Sequence, residues 1–396
     1  MFNVLAFFAF LSSFLTMWQW VVAWCFPLHR RSVNTRTAPA VTLLKPLKGR
    51  DENTADCIRS WLAQDYWGET QVLFGVASAD DPVCELLSGL IAEYPAVNAR
   101  LIICREALGT NGKVSSLIQL LRQAEHDVIV VSDADVFVPR DFLANVVAPL
   151  RDRSVGLVNC FYRLANPTNL PTRWEAIATN ADFWSQVLQG QSIAPLDFAL
   201  GAVMATRREE LAKIGGFEAL ADHLADDFQL GNRVVRFAGK SIEVCPVVAD
   251  CRSAPMSWQE AWTHQLRWAR TIRVCKPLPY ALSIVSNATF WPLFWVIIQP
   301  EDASLWTLAV CLCIRIATAL SLQNRLGRVA GQWWYWWLPP VKDLLQCALW
   351  VAAFFGNDIV WRGQRFRLQR DGRLVASGSK FGVEEASGAT IQSATD

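Results

Sequence analysis

The sequence predicts an α/β domain built on a mostly parallel sheet with helices on both faces, flanked by membrane helices on its N-terminal and C-terminal sides. Strand-length apolar runs recur at 41–44, 72–76, 101–103, 128–131 and 155–158, separated by polar helical stretches. That alternation is the pattern of parallel sheets covered on both faces. Residues 1–28 and the stretch between Lys276 and Glu301 contain no Asp, Glu, Lys or Arg. The chain as a whole is 52% hydrophobic and 18% charged, with 19 Trp and 21 Phe, too apolar for a disordered protein and apolar enough for a membrane protein.

Taken in order, residues 1–28 read as an N-terminal transmembrane helix, long enough for a hydrocarbon core of about 30 Å. A cleaved signal peptide is disfavoured, because no Lys or Arg precedes the run and His29, Arg30 and Arg31 come directly after it. This basic flank places the next segment of the chain on the cytoplasmic face. Residues 38–275 form the globular domain, with helical signals at 51–64, 82–93, 113–124 and 139–150, and end in an amphipathic interfacial helix. Residues 276–357 supply two further transmembrane helices, the second interrupted only by Arg315, plus a re-entrant or interfacial hairpin. The hairpin is expected because Pro339-Pro340 divide 329–357 into halves of about 21 Å, too short to span. Residues 358–396 read as a basic cytoplasmic tail, with Arg362, Arg365, Arg367, Arg370 and Arg373, and a polar disordered end.

Charge and cysteine usage narrow the function classes. Lys and Arg total 37 against 36 Asp and Glu, a net charge of +1, so no basic field holds nucleic acid. The 11 cysteines include no CxxC and no histidine partner at zinc spacing, which disfavours a disulfide framework and structural zinc and suits a reducing cytosol.

Parallel sheets bind ligands at the carboxyl ends of their strands, so the chemistry is sought just after each apolar run. After VIVV come Asp133 and Asp135, two carboxylates one residue apart, a spacing that suits a hard divalent cation held against a diphosphate. Asp80 and Asp81 come after VLFGVASA and either contribute to the same cleft or cap the helix that starts at Pro82. The GTNGK segment at 109–113 comes after LIIC and opens a helix, where backbone N–H groups and Lys113 favour an anion. Asp226 and Asp227 open another helix; the pair holds either a base whose neighbour raises its pKa or two favourable helix-terminal charges. In the segment 258–276, Trp258, Trp262 and Leu266 line one face, read first as membrane-surface contact, while His264, Arg267 and Trp268 offer a phosphate clamp and a stacking ring. Lys342-Asp343 is either a satisfied charge pair or part of a headgroup pocket.

In this order the motifs resemble the ceramide glucosyltransferase-like branch of the inverting glycosyltransferases with the GT-A nucleotide-diphospho-sugar fold, close to bacterial hopanoid glycosyltransferases. The resemblance covers nearly the whole chain: VTLLKPLKGRD at 41–51, the Asp80-Asp81-Pro82 loop, GTNGK at 109–113, SDAD at 132–135, GGF and LADDF within 215–228, HQLRW at 264–268 and WRGQRFRL at 361–368. It implies Asp227 as catalytic base, Mg²⁺ or Mn²⁺ on Asp133 and Asp135, and donor binding by Asp80, Asp81, Lys113, Asp133, His264, Arg267 and Trp268. The implied reaction moves one sugar from UDP-glucose to a lipid hydroxyl such as that of ceramide, with inversion. Its alternative is an N-acetylglucosamine donor and a hopanoid acceptor. Two departures mark this sequence: the last motif begins with His264 where the family usually has Gln or Arg, and 174–200 contains no histidine. A processive polysaccharide synthase would share these aspartates but needs a polymer channel that so few spans do not build, and a membrane scaffold or transporter has no use for acids at strand ends.

Overall fold

A computed structural model describes residues 2–32, 38–328, 332–361 and 364–376. Arg362 and the expected disordered end at 384–396 lie outside the described residues. Eight strands form the main sheet: β1 (Val41–Leu47), β2 (Thr70–Val76), β3 (Asn98–Ile103), β4 (Val128–Ser132), β5 (Val136–Phe137), β6 (Val155–Leu164), β7 (Val203–Arg207) and β8 (Ser241–Cys251). Their spatial order is β3-β2-β1-β4-β7-β6-β8-β5. Pairings β2–β3, β1–β2, β1–β4 and β6–β8 are parallel. β7 runs antiparallel to both β4 and β6, and β5 antiparallel to β8.

Both faces are covered, which is why the strands read as unbroken apolar runs. In β4, Ile129 and Val131 face one core with Leu44, Leu73, Ile118 and Trp184, while Val128 and Val130 face the other with Leu43, Phe74, Trp61 and Phe142. Fully burying one such aliphatic side chain contributes about 1.5–3 kcal/mol. The first core also takes in Ala23, Ala319, Leu322 and Leu326 from the long apolar helices, so those helices pack directly on the catalytic layer.

Three strands escaped the pattern. β5 is two residues long, β7 is five residues, and β8 contains Pro246, a residue that argues against a central strand. The β6–β8 register jumps from Cys160↔Cys245 to Tyr162↔Ala249, and the proline sits in that irregularity.

The helices Val4–Cys25 and Asp302–Gly327 are long and apolar enough to cross a membrane. The span expected across 277–300 is instead two helical pieces, Pro277–Ser286 and Phe290–Ile298, meeting at 58°. Asn287 causes the break: its Oδ1 accepts the N–H groups of Thr289 and Phe290 at 3.2 and 2.8 Å, starting a new helix there. The expected hairpin at 329–357 is corrected as well. Leu338–Phe354 is one helix of 17 residues with its prolines in the first turn, where the missing N–H has no partner to lose.

Lys342 and Asp343 on that helix form a satisfied buried cluster. Arg315 donates to both oxygens of Asp343 at 2.8 Å and to Asp182 at 2.9 Å, and Lys342 lies 2.5 Å from Asp182. The helix Trp258–Cys275 opens with a Ser257–Glu260 capping box. Its apolar stripe is covered by protein more than by an expected membrane surface: Trp262 and Leu266 pack on Trp174, Leu345 and Leu349, while Trp258 stays 48% exposed. The basic tail carries a three-stranded antiparallel sheet, β9 (Asp358–Trp361), β10 (Gln364–Leu368) and β11 (Leu374–Ala376). It docks on the turn before Asp226, where Leu374 N–H donates to Asp222 O at 2.7 Å and Leu224 N–H to Gly372 O at 3.3 Å.

Candidate active site

The site lies where the parallel half of the sheet meets antiparallel β7, at the carboxyl end of β4. The turn carrying Asp133 and Asp135 is pinned through its backbone. Asp133 N–H donates to Ala202 O at 3.1 Å, and Asp135 O accepts the N–H of Arg252 at 2.9 Å. Beneath the turn Lys45, fully buried at the end of β1, donates to Ser132 Oγ at 3.2 Å and to the carbonyl of Asp133. Burial lowers the Lys45 ammonium to about 8, with the charges of Cys57, Asp135 and Asp133 opposing the shift.

Lys113 joins the two acidic turns. Its Nζ lies 2.7 Å from Asp133 Oδ1 and 2.9 Å from Asp226 Oδ2. Burial works against the ammonium, but the two carboxylates outweigh it and hold the pKa above the ordinary lysine value. The GTNGK loop achieves this by docking on the 221–223 turn. Asn111 N–H donates to Ala221 O at 2.8 Å, its Nδ2 to His223 O at 2.8 Å, and Thr110 N–H to Asp222 Oδ1 at 2.9 Å. Gly109 sits at φ +159°, where a Cβ would lie 2.5 Å from Ala221 O, so only glycine allows the approach. The anion site expected at this helix start is therefore occupied from within: Asn111 Oδ1 accepts the N–H groups of Lys113 and Val114.

Asp226 and Asp227 divide their tasks. Asp226 is buried against Lys113, while half-buried Asp227 turns toward Gly201, with its Oδ1 accepting the N–H of Phe228 at 2.7 Å. Burial, then the adjacent Asp226, lifts the Asp227 carboxyl to about 7. Enclosure in the cleft, then Asp133, lifts Asp135 to about 6. Four carboxylates thus face two ammonium groups, a net charge that suits a divalent cation, and Asp133 and Asp135 offer the hard oxygen donors one requires. Among the described residues no third His, Cys, Asp or Glu completes a cluster with them.

The remaining sequence candidates surround this centre. Asp81 accepts the Gly49 N–H with both oxygens, at 3.1 and 3.0 Å, and the Val83 N–H at 3.0 Å, so it fixes the loop after β1 and caps the helix Val83–Glu93. Asp80 is exposed beside Ser78. His264 and Trp268 join a run of aromatic contacts that ends on β6: His264 to Trp268 at 5.2 Å, Trp268 to Phe183 at 6.2 Å, Phe183 to Tyr162 at 5.9 Å. Burial pushes the Tyr162 phenol well above its usual value, with the charges of Cys251, Asp227, Asp133 and Asp135 adding to the shift. Arg267 is half-buried on the same helix. Lys45, Gly201 and Glu175 were missed. A lysine closing the apolar run VTLLK was the one visible signal.

A sheet whose parallel half ends in an aspartate pair, faced by a second acidic turn, defines a glycosyltransferase of the GT-A class. The chain matches Glycosyl transferase family 21 over residues 4–374 and belongs to that family. It is 22% identical over 393 residues to ceramide glucosyltransferase 1 of Caenorhabditis elegans, covering 91% of this chain and 78% of the relative. It is 27% identical over 208 residues to the beta-monoglucosyldiacylglycerol synthase of Trichormus variabilis, covering 52% of this chain and 44% of that one. Among solved structures, the mannosyltransferase PcManGT from Pyrobaculum calidifontis, in complex with GDP-Man and Mn2+, superposes with a TM-score of 0.52 at 19% identity, over 89% of this chain and 98% of that one. This last likeness concerns the fold.

Proposed function

We propose that the enzyme transfers one glucose from UDP-glucose to the hydroxyl of a membrane lipid such as ceramide, with inversion at the anomeric carbon. The observation that carries this reading is the placement of Asp227: a half-buried carboxylate raised to about 7, next to Asp226, which pairs with Lys113, which in turn pairs with Asp133 just after β4. The names of the two relatives supply the acceptor class, one a ceramide and the other a diacylglycerol enzyme.

In this reading Asp227 accepts the proton of the attacking lipid hydroxyl. Asp133 and Asp135 hold Mg²⁺ or Mn²⁺, which when bound stabilises charge on the departing diphosphate. Lys113 neutralises Asp133 and Asp226 and fixes the distance between the two acidic turns. Lys45 holds the β4 turn from below. Arg267 and His264 donate to the diphosphate, Trp268 packs beside them, and the Asp80-Asp81 loop frames the nucleotide. The catalytic domain faces the cytoplasm, where nucleotide sugars are soluble, and the apolar helices present the lipid.

The test is mass spectrometry of products from the full-length protein in lipid nanodiscs, given isotopically labelled UDP-glucose or UDP-N-acetylglucosamine with ceramide, diacylglycerol or a hopanoid polyol. A single-sugar β-glucosylceramide formed only from UDP-glucose is expected. Transfer only from UDP-N-acetylglucosamine, or a polymer, overturns the assignment.

A further inference from the structure

We propose that Glu175 is a positioning residue that, paired with His264, fixes the imidazole so that its second ring nitrogen is presented to the diphosphate of the donor substrate. The inference rests on the donor reading above and adds to it the residue through which His264 acts.

Glu175 lies on the helix Leu170–Ile177 and is only 2% exposed. Its Oε1 takes the Nδ1 of His264 and the Nε2–H of Gln265, the latter at 3.0 Å. Its Oε2 is buried without a hydrogen-bond partner. A carboxylate in such a place is stable only beside a cation or in its protonated form. Among the described residues the one ion-pairing partner of Glu175 is His264, met through Nδ1, which leaves the second ring nitrogen, Nε2, open to a ligand. The contact through Nδ1 fixes which nitrogen is left for the substrate.

The surroundings aim that nitrogen. Gln265, 6% exposed, braces the same Glu175 oxygen from the next residue, so the carboxylate cannot follow the histidine if the ring turns. Trp268 packs on the imidazole with ring centroids 5.2 Å apart, and Phe183 and Tyr162 continue the ring contacts. His264 itself keeps 33% of its side chain exposed, which is the access a ligand needs. A histidine in place of an amide or guanidinium thus comes with its own counter-charge, supplied 89 residues earlier in the chain.

A double-mutant cycle on the full-length protein in nanodiscs tests this, with UDP plus Mn²⁺ as the probe and isothermal titration as the measurement. Glu175→Gln and His264→Ala should each weaken UDP binding by about tenfold, and the double variant should be no weaker than His264→Ala alone, because the two residues act as one unit. In turnover the loss should appear in KM for the nucleotide sugar, with KM for the lipid unchanged. Effects of the two substitutions that add, or a Glu175→Gln variant that binds UDP as well as the parent, overturn the proposal while leaving the donor reading intact. A parent protein that does not bind UDP with Mn²⁺ overturns both.

Discussion

A Cβ built on Gly201 would lie 2.7 Å from Asp227 Oδ2, so the backbone just before β7 forms the wall against which the Asp227 carboxylate, the proposed base, rests. Any side chain at 201 would press on that carboxylate and force it to move. Gly201→Ala should push Asp227 off its position and reduce kcat by about tenfold or more, since displacements near 1 Å cost that much in oriented reactions. UDP affinity, measured by titration, should stay within about twofold, because uniform binding is untouched. Equal losses in UDP affinity and kcat would show that Gly201 supports the whole cleft.

The two acids of the 226–237 helix should fail differently. Asp227→Asn removes the base, and transfer should fall by about a hundredfold or more while UDP still binds. Asp226→Asn instead strips Lys113 of one of its two carboxylates, and thermal unfolding should report a loss of about 3 kcal/mol, the low end for breaking a buried pair. The sign of the pH dependence comes from the same geometry. Asp227 is active as the carboxylate and its pKa is raised to about 7, so kcat/KM should rise with pH across that value. A profile flat from pH 5 to about pH 8 would remove Asp227 from the role.

Removal of divalent cations should abolish transfer, and addition of Mn²⁺ or Mg²⁺ should restore it. Asp135→Ala should abolish it without unfolding, and added cation should not restore it, because Asp135 forms no ion pair among the described residues whose loss would weaken the fold. Full activity in EDTA would exclude the metal from this site.

What was legible in the sequence is what depends on neighbours along the chain. Val128–Val131 read as a buried strand, and Asp133 and Asp135 as candidates at its carboxyl end, because both signals are local; the strand forms and Asp133 meets Lys113 beyond it. Contacts between distant segments left no such trace. Lys113 was visible as a candidate, but Asp226, which fixes its role, lies on another helix more than a hundred residues later. Glu175 looks like any helical glutamate until His264 is folded against it. Prolines misled in both directions for one reason: their effect depends on position. Pro339 and Pro340 occupy a first helical turn where they were read as breakers, and Pro246 lies in a strand because a register shift absorbs it.

The orientation of the catalytic domain can be read from one thiol. Cys57 and Cys160 are buried and react slowly from either side, whereas Cys84 on the helix Val83–Glu93 is partly exposed. With the other partly or fully exposed cysteines replaced by serine, an impermeant maleimide should leave Cys84 unmodified in intact cells and modify it in inside-out vesicles. Labelling in intact cells would reverse the proposed topology.

The cluster of Asp182, Arg315, Lys342 and Asp343 ties the catalytic layer to the apolar helices and should behave as one electrostatic unit. It holds two cations and two anions, all nearly inaccessible, and Thr289 Oγ donates to Asp343 at 2.7 Å. Arg315 spans it with a guanidinium fork, donating to Asp343 through two nitrogens and to Asp182 through one of them. Arg315→Met leaves two carboxylates to a single lysine and should destabilise the protein by about 3–5 kcal/mol, the usual effect of breaking a buried pair from one side. Arg315→Lys keeps the charge but not the fork, and should recover only part of that loss. Combining Arg315→Met with Asp343→Asn restores neutrality, leaving Lys342 with Asp182, and should recover most of the stability seen in thermal unfolding of detergent-solubilised protein. Because Asp182 lies just before the helix Trp184–Ile193, whose Trp184 is fully buried in the core beside β4, the single variant should also lose transfer, and the neutral pair should regain it. If the double variant is as unstable as Arg315→Met, the guanidinium contributes by its shape and contacts, and charge balance is not what holds the two layers together.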